Sequence, residues 1–167
     1  MVRNKKKIIV VGGGGFTHKS DKDLDDFVIN QVNKSNIDIG FLPTASNDDQ
    51  NKIDLFYERF QSKNLKLSHF NLCSSVDGFK DWIFKKDLIY IGGGNTFKMI
   101  DLWKRYNLIN IFRKAYENGI ILSGVSAGGV CWFDWILSDS LSKNFSHIKG
   151  ISLLSGSCTP HSSDNNR

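Results

Sequence analysis

Ser126 is the residue whose type and setting point most directly to chemistry. It stands in Gly124-Val125-Ser126-Ala127-Gly128-Gly129, straight after the short branched apolar run 119–123. A Gly-x-Ser-x-Gly pattern between strand and helix is a nucleophile elbow. Its glycines let the backbone turn sharply without a Cβ, which leaves the serine strained and exposed at the strand end. The N–H groups that follow open a helix N-terminus suited to an oxyanion. A serine hydroxyl is a weak nucleophile at neutral pH and needs a base in hydrogen-bond reach. His161, fixed behind Pro160 in the polar segment 157–161, is the leading candidate. His147 is expected on an edge strand facing solvent, His18 could reach the same region from the first glycine loop, and His69 is expected to be structural. A carboxylate should orient the imidazole, and Asp134 and Asp139 both lie between serine and histidine. Their alternative reading is as ordinary helix-end or turn aspartates.

Two glycine runs could serve that chemistry. Gly92-Gly93-Gly94-Asn95 could cradle a phosphate, but beside a nucleophile elbow its N–H groups fit an oxyanion hole better. Gly12 to Gly15 lacks the third glycine at the dinucleotide offset, and Asp38 falls inside the next strand, so it reads as a tight loop and not a cofactor site. Cys73, Cys131 and Cys158 are widely spaced without a Cys-x-x-Cys pair, and the four histidines show no metal-ligand spacing. Neither metal nor cofactor is expected. Trp132 and Trp135 are expected to be core aromatics on a helix beside the elbow.

These residues need a scaffold that brings loops to one edge, and the hydrophobic pattern supplies it. Strands are expected at Lys7 to Val11, Ile37 to Leu42, Leu65 to Phe70 and Leu88 to Ile91, with a fifth running into the elbow. Helices are expected at Ser20 to Lys34, with Ser20 as N-cap, and at Asp48 to Ser62, Phe79 to Phe84, Thr96 to Lys104 and Leu108 to Asn118. This alternation predicts an α/β fold with a mostly parallel sheet and helices on both faces. The Gly12 loop, the Pro43-Thr44-Ala45-Ser46 loop, the Gly92 loop and Ser126 would then share the rim at the strand ends.

Composition sets the outer bounds. The 167 residues, 40% of them hydrophobic, are enough for one domain with its own core. The net charge of +5 owes much to Arg3, Lys5, Lys6 and Lys7, a run without aromatics or a second basic cluster, which reads as a solvated tail and not as a nucleic-acid or membrane contact. The odd cysteine count and the absence of a long apolar run point to reduced thiols and a cytoplasmic protein. The expected partner is a small peptide or amide substrate, with a homodimer as the expected assembly if the chain associates.

Three motifs in order carry a family resemblance. The stretches 91–97, 124–128 and 150–157 leading to Pro160-His161 resemble the peptidase E (aspartyl dipeptidase) family, whose relatives include cyanophycinase. The likeness spans essentially the whole chain, and the segment 132–140 is more similar to a Gram-positive branch than to the dipeptidases proper. It implies a flavodoxin-like fold of the class I glutamine amidotransferase type, Ser126 as nucleophile and His161 as general base. It further implies an oxyanion hole from amides near Gly93 and Gly94 and at Ala127, with Asn95 beside the site. Asp139 falls near an aspartate once considered a triad member in the family, in which later assignments favour a glutamate beyond the histidine. Family members usually continue past the Pro-His motif with further strands and a basic residue that recognises an N-terminal aspartate; this chain is expected to lack that segment, and aspartyl specificity does not carry over. The expectation is a serine peptidase or amidase. The alternative is a catalytically impaired, truncated relative serving as a binding or assembly module. An α/β-hydrolase esterase shares the elbow but leaves 92–97 unexplained, and an amidotransferase would need a cysteine where Ser126 stands.

Overall fold

The computed structural model describes residues 6–61, 64–141 and 144–161. Most of the basic run at the start lies outside these residues. Within it, Lys7 Nζ donates to the Gln31 side chain at 2.9 Å.

Five parallel strands form the main sheet: β1 (Ile8–Val11), β2 (Ile37–Leu42), β3 (Leu65–His69), β4 (Leu88–Ile91) and β5 (Ile121–Val125), in the order β1-β5-β4-β2-β3. Counted from β2, this is the flavodoxin-like order, with the first strand of the chain standing where the last would be. Side chains alternate along each strand, so each face gathers its own core. On one face Ile39, Phe41, Leu88, Tyr90, Ile121 and Val125 pack with Val28 of α1 (Lys22–Ile29) and Ile53, Phe56 and Phe60 of α2 (Gln50–Phe60). On the other, Leu42, Ile89, Ile91 and Leu122 meet α3 (Phe79–Ile83), α4 (Thr96–Arg105) and α5 (Ile109–Glu117) through Ile83, Met99, Trp103 and Phe112. Helices on both faces of a parallel sheet are what the alternation predicts.

Three departures from the sequence reading have physical causes. The first helix is shorter than Ser20 to Lys34 and starts at Lys22. Ser20 Oγ donates to Asp21 Oδ2 at 2.8 Å instead of capping, and Asp21 holds the cap position in the left-handed region. The helix after the elbow, α6 (Ala127–Val130), lasts one turn and gives way to β6 (Phe133–Ser138). Trp132 is fully buried as expected, but Trp135 lies on β6 and is half exposed, so it is not a core residue. β6 is the centre of a second sheet, pairing antiparallel with β7 (Ser146–Lys149) and parallel with β8 (Leu154–Cys158). Among the described residues no helix is long and apolar enough to cross a membrane.

One charge sits inside the first core. Asp25 of α1 has no exposed side-chain surface, faces Arg59 Nε at 3.2 Å and accepts from Tyr90 Oη at 3.4 Å. Burial outweighs the guanidinium and lifts the carboxyl from 3.8 to about 6. As pH rises from about 4 to about 6, the unfolded chain gives up this proton before the folded one does, so Asp25 makes folding less favourable across that window. The stability of wild type relative to Asp25→Asn should therefore fall between about pH 4 and pH 6 and level off above it, as read from denaturant midpoints. A flat difference across that range would mean the carboxyl titrates normally.

Candidate active site

The site is built at the C-terminal ends of β1, β4 and β5, where bare backbones meet. A Cβ on Gly124 would lie 2.3 Å from the Gly128 carbonyl oxygen, and one on Gly128 would lie 2.2 Å from that of Ile91. Only glycine allows the first turn of α6 to rest directly on the strand ends. Ser126 lies between them at φ 52°, ψ −117°, a strained conformation for a residue with a side chain. Its N–H donates to the Val11 carbonyl at 2.9 Å, so the β1 end fixes the turn from below.

His161 meets the serine. Ser126 Oγ and His161 Nε2 are 2.8 Å apart, within the range for a nucleophile and its base. The imidazole lies against the first glycine loop: a Cβ on Gly13 would stand 3.2 Å from Nδ1 and 3.3 Å from Cε1. The second sheet brings His161 there. β8 runs beside β6 into Thr159, whose Oγ1 donates to the Leu137 carbonyl at 2.9 Å, and Pro160 follows. His161 itself is in the left-handed region at φ 54°.

The Gly92 loop closes the opposite side. A Cβ on Gly93 would lie 3.3 Å from Ser126 Cβ and 3.8 Å from Oγ, so a side chain there would crowd the hydroxyl. Gly94 has φ +146°, and a Cβ on it would sit 2.1 Å from the Ala45 carbonyl oxygen. The N–H groups of Gly92 and Asn95 are engaged by the carbonyls of Leu42 and Ala45 at 3.0 and 2.7 Å. No acceptor among the described residues takes the N–H of Gly93, Gly94 or Ala127. Among the described residues, donors without an acceptor thus occur at Ala127, next to Ser126 in the chain, and in the Gly93–Gly94 loop that packs on Ser126 at Gly93, a setting that suits a developing negative charge. Asn95 builds this loop: its Oδ1 caps α4 by accepting from the Lys98 N–H at 2.8 Å, and its Nδ2 donates to the Ser140 carbonyl at 2.9 Å.

The other expected residues fall elsewhere. Asp134 Oδ2 accepts from the Gly156 N–H at 3.0 Å, which holds its carboxyl below the usual range and clips β8 to β6. Asp139 is exposed in the turn after β6, one residue before Ser140, whose Oγ accepts from the Phe97 N–H at 3.1 Å. His147 is exposed on β7, and His18 Nδ1 lies 3.3 Å from the Gly14 carbonyl oxygen. His69 Nδ1 pairs with Tyr57 Oη at 2.9 Å, and burial lowers its pKa. Cys131 is fully buried with Sγ donating to the Gly128 carbonyl, and burial raises its thiol well above the ordinary value. Among the described residues no three His, Cys, Asp or Glu side chains are grouped to hold a metal ion. The sequence reading placed the Gly12 loop on this rim but did not foresee the Val11 carbonyl or Ser140 as parts of the site. The run of four glycines after β1 was the available signal.

Comparison with known proteins now identifies the lineage. The family model of peptidase family S51 matches residues 8–167. The chain belongs to peptidase family S51. It is 40% identical over 158 residues to the uncharacterized peptidase YgaJ of Bacillus subtilis, across 93% of this chain and 68% of that protein. It is 38% identical over 74 residues to peptidase E of Haemophilus influenzae, covering 43% of this chain and 34% of the relative. In fold it is similar to the crystal structure of a peptidase from an acI-B1 actinobacterium, with a TM-score of 0.65 at 18% identity over 87% of this chain and 64% of that one. The S51 chain thus spans about two thirds of YgaJ and of the solved structure, and a third of the Haemophilus protein.

The glycine contacts make a direct test. Gly94→Ala should lower stability by about 2 kcal/mol or more, because it forces a side chain into a positive-φ position and onto the Ala45 backbone. Gly12→Ala, where nothing lies within 4 Å of the added carbon, should stay within about 0.5 kcal/mol of wild type in the same denaturation experiment.

Proposed function

We propose that this S51 chain is a serine-type peptidase or amidase that hydrolyses a small peptide or amide through a Ser126 acyl-enzyme. The observation that carries the reading is the 2.8 Å contact between Ser126 Oγ and His161 Nε2, made by a serine in a strained elbow. In the reaction, Ser126 Oγ attacks the carbonyl carbon as His161 Nε2 takes its proton. The carbonyl oxygen, now negative, is held by the Ala127 N–H and those of Gly93 and Gly94. His161 then passes the proton to the leaving amine, and the acyl-enzyme forms. Water enters by the same route in reverse, with His161 as base, and releases the acid and free Ser126. Asp134 Oδ2 accepts from the Gly156 N–H, and Asp139 stands as a candidate for the acid that supports the histidine on the family resemblance alone. The alternative, a binding module with an idle serine, predicts a histidine remote from the hydroxyl; the contact favours the enzyme.

A fluorophosphonate probe tests this without knowledge of the substrate. Wild type should label, Ser126→Ala should not, and His161→Gln should label at least about 100-fold more slowly, in line with loss of a general base. Folded wild type that resists the probe, or Ser126→Ala that still reacts, would overturn the reading.

A further inference from the structure

The segment 11–16 is the piece of chain that touches both candidate catalytic side chains' supports. The Val11 carbonyl accepts the Ser126 N–H at 2.9 Å, and Gly13 faces the His161 ring. A glycine run is free to move unless something holds it. Gly14 and Gly15 have φ of +86° and +70°, so this loop has no intrinsic preference that would fix it. Thr17 Oγ1 donates to the Gly14 carbonyl and the His18 and Ser20 N–H groups to the Gly15 carbonyl, which shapes the turn locally. The loop's tie to the rest of the fold lies one layer below. Phe16 is buried at the centre of an aromatic cluster, with ring centroids 5.4 Å from Phe41, 6.0 Å from Phe56, 5.4 Å from Phe60 and 5.1 Å from Tyr90. Asp25 comes up beneath it: a Cβ on Gly15 would be 2.8 Å from Asp25 Oδ1, and the Phe16 backbone N–H is near enough to the same carboxyl group to favour its charged form.

A buried carboxylate is costly unless its partners justify it, and a hydrophobic residue would pack this face of α1 more cheaply. Asp25 spends its oxygens on three separate elements. Oδ1 faces Tyr90 Oη on β4 and the Gly15–Phe16 backbone, and Oδ2 faces Arg59 Nε on α2. Arg59 is itself held by the Lys22 carbonyl at 2.9 Å and by Asp26. The proposed reaction gives none of these groups a direct part, yet they converge on the loop that floors the imidazole.

We propose that Asp25 is a positioning residue for His161. It locks the Gly12–Gly15 loop to β4 and α2, so that Gly13 stays under the imidazole and holds Nε2 on Ser126. The proposal rests on the Ser126–His161 reading for its catalytic consequence but not for its geometry. An ångström-scale drift of the loop would lengthen the serine–histidine contact and slow the attack without altering how a ligand first binds.

The test is Asp25→Asn, which keeps shape but weakens the ties to Arg59 and the loop, with exposed Asp23→Asn on the same helix as control. Fluorophosphonate labelling should lose about ten-fold in its limiting rate while the probe concentration for half-maximal rate is unchanged. In parallel, the His161 Cε1–H resonance, identified by its absence in His161→Asn, should shift in Asp25→Asn and stay in place in Asp23→Asn. Tyr90→Phe, which removes one tie and leaves the ion pair, should shift it in the same sense by less, and carries the test if Asp25→Asn does not fold. A His161 resonance unmoved in the folded variants overturns the proposal. A shifted resonance in a chain whose wild type never labels would instead overturn the serine-hydrolase reading and leave the positioning role standing.

Discussion

The site depends on backbone resting on backbone. At Gly124, Gly128 and Gly129 the first turn of α6 lies against the carbonyls of Ile91 and Val11 with no side chain between. Three consequences follow from that contact. The helix starts at the ends of three strands at once, which requires β1, β5 and β4 to be neighbours in that order. The Ser126 N–H finds an acceptor at Val11, so the strained serine leaves no buried donor without a partner. The next N–H, at Ala127, has no acceptor among the described residues.

The hydroxyl's partner arrives independently, because the small second sheet carries His161 to within 2.8 Å of it. β6 leaves α6 almost at once, β8 runs parallel to it, and the chain exits at Thr159–Pro160 directly toward the serine. Asp134 matters through this delivery. Its bond to the Gly156 N–H fixes the stagger of β8 on β6, and with it the place where the chain after Cys158 emerges. One sheet therefore holds Ser126 and the other delivers His161, and the glycine loop after β1 meets both, through the Val11 carbonyl and Gly13.

Much of this was legible in the sequence because the main sheet follows simple periodicity. Buried strands such as Leu88–Ile91 are uniformly apolar and end at glycines, and the helices between them are amphipathic. The elbow and the Pro160-His161 pair were visible because special backbone shapes demand special residues. Of the second sheet, β7 was foreseen as the edge strand that carries His147, but β6 and β8 were not, for a physical reason. On β6 the large side chains Trp135 and Leu137 face outward while Ser138 is buried, which inverts the usual alternation. β8, with Leu154, Ser155, Gly156, Ser157 and Cys158, carries almost no apolar pattern and is held by its ladder with β6 and by Asp134. Carbonyl partners such as Val11 and Ala45 carry no sequence signature at all, since any residue supplies the same oxygen.

The place of β1 has an effect on how the molecule comes together. Ile8 pairs with Leu122, and Val11 with Val125, across most of the chain's length. In the main sheet β1 pairs with β5, so β1 cannot add to the sheet until residues 121–125 are present. Closing so long a loop costs entropy that local hairpins and helices avoid, and such pairings form late. The remaining four strands, β2 to β5, are contiguous in the chain and can assemble first. Docking of β1 then brings the Val11 carbonyl to the Ser126 N–H and the glycine loop to the His161 ring in one event.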